Sequence, residues 1–177
     1  VPKFIVENSL DVDSWDRAFA DKEATKSDVV TIGWMASGSH MIDVVLVREA
    51  LHNLMAEFPA LRLRFIGWIG FEQIQMDQYK DRIRVDPWIH ISQLPDAMQD
   101  FDIGLAPLVD NLFNRSKSNL KFLQYAALGI PTVASPLPPY ACIKDGNGVL
   151  AANNSPAGWY NAIKSLVENR ELRSGIG

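Results

Sequence analysis

The sequence predicts an α/β fold, a parallel sheet covered on both faces by helices, and three observations carry that prediction. Residues 29–34, VVTIGW, form a continuous apolar run without polar alternation, the pattern of a strand buried on both sides. Residues 42–58 place apolar side chains at helical spacing and stop at Pro59. Strand candidates and helical patterns then alternate to the end of the chain, with Gly and Pro at the changeovers.

Taken in order, 1–6 is a short β-prone run. Residues 8–16 are punctuated by Asn, Asp and Ser around the single large anchor Trp15, and 17–28 read as a solvated connector. After the first strand comes the turn MASGSHMID and the helix 42–58, the opening of a βαβ unit. Residues 61–66 are a second strand ended by GWIG, 71–81 contain a short helix, and 83–85 are a weaker third strand. A small helix spans 94–99, with Pro95 and Asp96 in its first turn. Residues 103–106 are a short buried strand closed by Pro107, 130–134 another strand, and 149–151 the last. Ser155 followed by Pro156 reads as an N-cap and first helical residue, opening a helix that runs to about Glu168. The whole is Rossmann-like, with right-handed crossovers, and ligands of such sheets bind beyond the carboxyl ends of the strands where the strand order reverses. Those ends are the loops 34–40, 67–71, 86–92, 107–116 and 135–141.

Composition bounds the chemistry. With 177 residues, 47% hydrophobic and 21% charged, the chain suits one domain with a substantial core. A net charge of -4 gives non-specific nucleic-acid or anionic-membrane binding no help from the global field. The single cysteine, Cys142, excludes an intrachain disulfide, a thiolate metal cluster and a CxxC pair, and weakly favours a reducing compartment. There is no eighteen-residue apolar run and no signal-peptide pattern at the start, and a beginning without Met with an end at GIG reads as a piece of a longer protein.

The most informative stretch is 114–135, NRSKSNLKFLQYAALGIPTVAS, in which a polar, basic turn enters a short helix that passes through Gly129 and Pro131 into a buried strand. Lys117, Lys121 and Gln124 share one side of a 3.6-period helix, while Leu120, Leu123 and Ala127 share another. Ser116, Ser118 and Asn119 add neutral donors at the helix start, so the operating face reads as an anion holder. A lysine pair on a helix is ordinarily just solvated; with Arg115 alongside, though, three cations after a sheet-end loop repel one another unless an anion neutralises them. Gln124 is either a surface amide or a partner for vicinal sugar hydroxyls. The turn Ser37-Gly38-Ser39-His40 is either a phosphate cradle or an ordinary strand-to-helix turn, and it matches neither GxGxxG nor GxxxxGK[ST]. His40 reads as a helix-start residue or as a donor to phosphate or sugar. His52 is structural, His90 lacks a partner at metal-binding spacing, and no metal site is expected from the three histidines. Trp34, Trp68 and Trp88 lie at strand ends, where the choice is between core packing and a stacking surface. Asp110, Asn111 and Asn114 suit hydroxyl recognition or turn chemistry; Asp43 reads as a cap or charge balance for the first helix, and Asp102 as structural.

Assembled, the tracts IGWMASGSH, LRLRFIGWIG, FDIGLAPLVDNLFNRSKSNLKFLQYAALGIPTVASPLPPY, DGNGVLAANN and PAGWYNAIKSLVENRELR resemble the C-terminal, donor-binding domain of a GT-B-fold glycosyltransferase of retaining family 4, the glycosyl transferases group 1 type. The resemblance implies one half of a GT-B fold, with 1–28 as linker and connector from a missing N-terminal acceptor-binding domain and 29–177 as the nucleotide-sugar donor domain, truncated at its C-terminus. It implies hexosyl transfer from a nucleotide-diphosphate sugar to a hydroxyl acceptor, no cofactor, and a cytoplasmic location with any membrane contact made through regions outside the chain. By matching motif, Gly33, Ser37, Gly38, Ser39 and His40 line the diphosphate side, and Pro87, Trp88 and Ile89 meet the base. Lys117, Lys121 and Ser118 face the diphosphate or donor sugar, with Lys117 and Lys121 as the catalytic cations and Asn114 beside them. Ser116 and Gln124 take the two places of the family's Glu-x7-Glu signature, so neither carboxylate is present and Gln124 keeps only a neutral contact to ribose. The basic pair often found after the first strand is replaced by Trp34 and the SGSH turn. Those departures keep open a non-catalytic nucleotide-sugar sensing or interaction module. A dinucleotide-dependent oxidoreductase ranks lower, because the glycine fingerprint and its acidic partner are missing.

Overall fold

A computed structural model of the chain describes residues 8–24, 29–67 and 74–177. Its centre is a six-stranded, all-parallel sheet in the order β3-β2-β1-β4-β5-β6. The strands are β1 (Thr31–Ala36), β2 (Arg62–Gly67), β3 (Ile83–Asp86), β4 (Ile103–Ala106), β5 (Thr132–Ala134) and β6 (Val149–Leu150). The first three run outward from β1 in one direction and the last three in the other, so the order reverses between β1 and β4, which pair through Ile32 with Ile103 and Gly33 with Gly104. The helices are α1 (Val12–Ala24), α2 (Val44–Glu57), α3 (Leu94–Ala97), α4 (Leu112–Arg115), α5 (Leu120–Ala126), α6 (Pro156–Glu168) and α7 (Arg170–Ile176).

One face of the sheet is covered by α2 and α6. Their buried Val47, Leu51, Leu54, Trp159, Ile163 and Leu166 pack on Ile32, Trp34, Leu63, Phe65, Leu105 and Val133, the alternate residues that point to that side. The Ser155 hydroxyl accepts from the Gly158 N–H, and Pro156 begins α6, as the sequence predicts. On the other face the floor of the sheet is glycine. Gly33 and Gly104 are register partners, and a Cβ on either would lie 2.0 Å from the Phe101 ring or 2.6 Å from the Tyr125 ring. Two large aromatics therefore pack directly on the sheet, their rings tilted 47° to each other, and the Tyr125 hydroxyl donates to the Leu105 carbonyl while accepting from the Met35 N–H. Helix α5 ends with Gly129 at φ +60°, the Ile130 N–H reaching back to the Tyr125 carbonyl and the Gly129 N–H to that of Ala126, a Schellman closure that turns the chain into β5.

One expectation is overturned. Residues 17–24 are helix rather than solvated connector: they complete α1, and Trp15, Ala18 and Lys22 form a buried stripe on one side of it. The spacing i, i+3, i+7 decides this against a polar composition. Trp15 and Ala18 join the core around Phe101 and Tyr125, and the Lys22 ammonium donates to the carbonyls of Gln99 and Phe101 at 2.9 and 2.5 Å. The expected strand 1–6, connector residues 25–28, the first part of 71–81 and Trp68 lie outside the described residues.

Candidate functional site at the strand-order reversal

The carboxyl ends of β1 and β4 open into a cleft of about 400 Å³. Ser37 and His40 enter from the turn after β1, Trp88 and Ile89 from the loop after β3, and Lys117, Ser118, Lys121 and Gln124 from the segment that follows β4. Eight residues nominated from sequence are thus brought to one place, at the position where a doubly wound sheet binds ligands. A second, larger hollow of about 870 Å³ lies at the amino ends of the strands, lined by Thr31, Arg62, Asp102 and Pro131, and holds none of them.

The charged floor is built around Asp43, which is fully buried. Its Oδ1 accepts from the Val109 N–H at 2.7 Å and the Asn114 side-chain amide at 3.0 Å, and its Oδ2 lies 2.8 Å from His40 Nδ1. It makes no side-chain cap on α2, so the cap reading gives way to a different role: it ties the loop after β1 to the loop after β4. His40 is buried, with the edge of Trp34 against it at 6.4 Å between centroids. Burial pushes its pKa below the ordinary value; the Asp43 hydrogen bond works the other way, and Lys121 and Lys117 reinforce the drop. Lys121 Nζ is 3.0 Å from His40 Nε2, while Lys117 Nζ lies 3.4 and 3.5 Å from the two ring nitrogens. Burial of the Lys121 ammonium, helped by its neighbour Lys117, lowers its pKa to about 8. Lys117 is also lowered by burial and sits 4.9 Å over the Phe113 ring. Gln124 is buried, and its Oε1 has no hydrogen-bond partner among the described residues. An orphaned amide oxygen at the wall of a cleft is a place for a ligand donor. Trp88, 58% exposed, stands on the opposite rim.

Several nominated residues have other duties. Gly33 is in mid-strand, where its lack of a side chain makes room for Phe101, and it does not line the cleft. Gly38 has open space above it, and Ser37 and Ser39 face each other at 3.0 Å between hydroxyls. Asn114 is buried, its amide committed to Asp43 and the Val109 carbonyl, so it braces the site rather than reaching a ligand. The Ser116 hydroxyl turns back to the Leu112 carbonyl, away from the cleft. Pro87 is in the loop beside Trp88 but does not line the cleft. The predicted trio of cations is a pair: Arg115 makes a two-pronged ion pair with Asp110 on the surface. The predicted helix start is also displaced, because 112–115 forms its own turn capped by Asn111, and α5 begins at Leu120. Lys117 and Ser118 therefore sit on the connecting turn, and the charge at this site comes from ammoniums rather than from a helix end. His52 bonds Gln78, His90 and Gln93 form a local capping box, and Asp102 accepts from the Thr31 N–H. Among the described residues no three His, Cys, Asp or Glu are grouped to hold a metal ion, and no helix is long and apolar enough to cross a membrane.

A family model described as Glycosyl transferases group 1 matches residues 26–169, most of the chain and all of the cleft. The chain belongs to that family. As a group 1 glycosyl transferase chain it shares its fold with solved glycosyltransferases of the GT-B type. The Anabaena protein Alr3699/HepE, crystallised with UDP and glucose, is 15% identical with a TM-score of 0.73, covering 98% of this chain and 49% of that one. A glycosyltransferase from Rickettsia africae is 13% identical with a TM-score of 0.74, again covering 98% and 49%. The C-terminal domain of the Francisella tularensis group 1 glycosyl transferase LpcC is 16% identical with a TM-score of 0.66, covering 95% of this chain and 92% of that domain. The chain thus spans about half of the first two proteins. No curated protein sequence matches it.

Proposed function

We propose that the chain is the nucleotide-sugar-binding, C-terminal domain of a retaining, family 4 glycosyltransferase, which transfers a hexosyl unit from a nucleotide-diphosphate sugar to a hydroxyl acceptor held by an N-terminal domain. The observation that carries this reading is the cleft at the β1/β4 reversal, which combines two ammoniums of lowered pKa, an orphaned buried amide and an exposed indole. Lys117 and Lys121 take the diphosphate, and their charge grows in value as the glycosidic bond breaks and negative charge collects on the leaving oxygen. The Gln124 oxygen accepts from a ribose hydroxyl, and Trp88 offers its face to the base. Family membership and the UDP bound in the Anabaena structure support the ligand class, and the match to a C-terminal domain supports the position in the whole enzyme. The reading places the protein in the cytoplasm, with any membrane contact made through other regions.

Calorimetric titration of UDP and GDP into wild type, Lys117→Ala and Lys121→Ala tests it. Affinity falls in both variants if the diphosphate sits here, and unchanged affinity in both sinks the site. A second reading, a nucleotide-sugar sensor without transfer activity, is favoured by one observation: neither position of the carboxylate signature is acidic, Ser116 faces away from the cleft and Gln124 is neutral. Glycosyl transfer by the full-length protein excludes that second reading.

A further inference from the structure

The side chains around His40 specify its protonation state by donor and acceptor logic alone. A carboxylate only accepts hydrogen bonds and an ammonium only donates them. Asp43 Oδ2 lies 2.8 Å from Nδ1, so Nδ1 carries the hydrogen; Lys121 Nζ lies 3.0 Å from Nε2, so Nε2 carries the lone pair. A doubly protonated ring would aim an N–H at the Lys121 ammonium. The opposite tautomer would leave two acceptors facing each other at Nδ1 and two donors at Nε2. The carboxylate is itself held against rotation by the Val109 N–H and the Asn114 amide on its other oxygen. Lys117 Nζ is nearly equidistant from the two ring nitrogens, at 3.4 and 3.5 Å, so its longer contacts favour neither tautomer.

We propose that Asp43 and His40 are positioning residues for Lys121: the anchored carboxylate fixes the neutral Nδ1–H form of His40, and the Nε2 lone pair so presented holds the Lys121 ammonium at the diphosphate end of the cleft. His40 then acts through Lys121 instead of donating to phosphate itself. The charged groups facing the ring are Asp43 from its own turn and Lys117 and Lys121 from the segment after β4; the Tyr140 phenol lining the same cleft is held neutral by burial. The arrangement gives a flexible lysine a fixed end point before ligand arrives, which removes part of the ordering cost of binding. Asp43 also spans the two loops of the strand-order reversal, so one carboxylate sets both the shape of the cleft and the aim of its deepest cation.

The structural half of this inference stands without a ligand, while its effect on affinity rests on the nucleotide-sugar reading. Long-range ¹H–¹⁵N spectra of the imidazoles in the full chain without ligand, near neutral pH, are the first test. His40 is expected as the neutral Nδ1–H form, with its Nε2 resonance moved in Lys121→Ala and its Nδ1–H retained. An imidazolium, an Nε2–H form, or an Nε2 resonance indifferent to Lys121→Ala overturns the relay, whatever the nucleotide titrations show. UDP affinity is the second test. Leucine at 40 removes both bonds, and His40→Leu is expected to weaken UDP binding by about tenfold, the size of one charge-assisted hydrogen bond. A glutamine amide can donate to Asp43 and accept from Lys121, so His40→Gln is expected to bind UDP several-fold more tightly than His40→Leu. Equal losses in the two variants overturn the positioning role. A chain that binds neither UDP nor GDP removes the proposed function, and the imidazole spectrum still decides the relay.

Discussion

Lys121→Met should stabilise the ligand-free protein near neutral pH while weakening its hold on nucleotide. The lysine pKa falls from 10.5 to about 8 because folding takes the ammonium out of water and sets it near Lys117. At about 1.4 kcal/mol per pKa unit, holding that charge in the folded state costs about 3–4 kcal/mol at pH 7. With the folded-state pKa below the unfolded one, the unfolded chain binds more protons between about pH 8 and 10.5. Wild-type stability therefore rises with pH through that window, and the penalty shrinks to under about 1 kcal/mol by pH 10. Methionine is unbranched, suits a helix and carries no charge, but it forfeits the charge-assisted contact to His40 Nε2, worth about 1.5 kcal/mol. The net expectation is a gain of about 2 kcal/mol at pH 7 that disappears by pH 10, read from urea unfolding at the two pH values. Saturating UDP should stabilise wild type more than the variant, because the anion relieves the stored repulsion only where the cation exists. A variant that is no more stable than wild type at pH 7, or whose advantage persists unchanged at pH 10, refutes the electrostatic account.

Gly33→Ala places a methyl 2.0 Å from the Phe101 ring and should cost about 2–3 kcal/mol in urea unfolding, part of it recovered in the double variant with Phe101→Leu. Trp88→Ala removes a half-exposed indole at the cleft rim and should weaken UDP binding by roughly tenfold, with folding stability within about 0.5 kcal/mol of wild type. Ser155→Ala deletes the bond to the Gly158 N–H at the start of α6 and should lower stability by about 1 kcal/mol, seen as a fall in melting temperature of a few degrees.

The sheet was legible because a parallel strand buried on both faces needs no alternation, and an unbroken run such as VVTIGW has few other uses in a soluble core. Helix α6 was legible because its cap is local: Ser155, Pro156 and Gly158 lie within one turn. Helix α1 was hidden by the opposite situation, a polar sequence whose only signal is the spacing of Trp15, Ala18 and Lys22, and whose burial is decided by the distant Phe101 and Tyr125. The same division runs through the site. Lys121 and Gln124 could be grouped from helical periodicity, and they do line one cleft; Lys117 reaches the same cleft from the turn before α5, where a helical face has no bearing. Asp43 could not, since its meaning comes from Val109 and Asn114, more than sixty positions away. Gly33 after an apolar run resembles a ligand-approach glycine, and only the tertiary position of Phe101 shows what fills the space above it.

The neutral residue at 124 and the perturbed lysine at 121 are two sides of one electrostatic choice. With His40 neutral, the formal charges around the cleft floor are those of Lys117, Lys121 and Asp43, and Asp43 already accepts from Val109, Asn114 and His40. A glutamate at 124 would have supplied the missing negative charge one turn from Lys121 on the same helix. Burial of the ammonium, with Lys117 beside it, lowers the pKa of Lys121, and a neutral glutamine supplies no charge to offset the drop. An anion entering this cleft meets positive charge that the protein has not cancelled, so on the proposed function part of the energy lost in folding the site is returned when the diphosphate fills it. On the proposed function, a neutral residue at 124 favours anion binding through the uncancelled lysines while leaving only an amide contact to the ribose, and the two effects separate experimentally into affinity for UDP and rate of transfer.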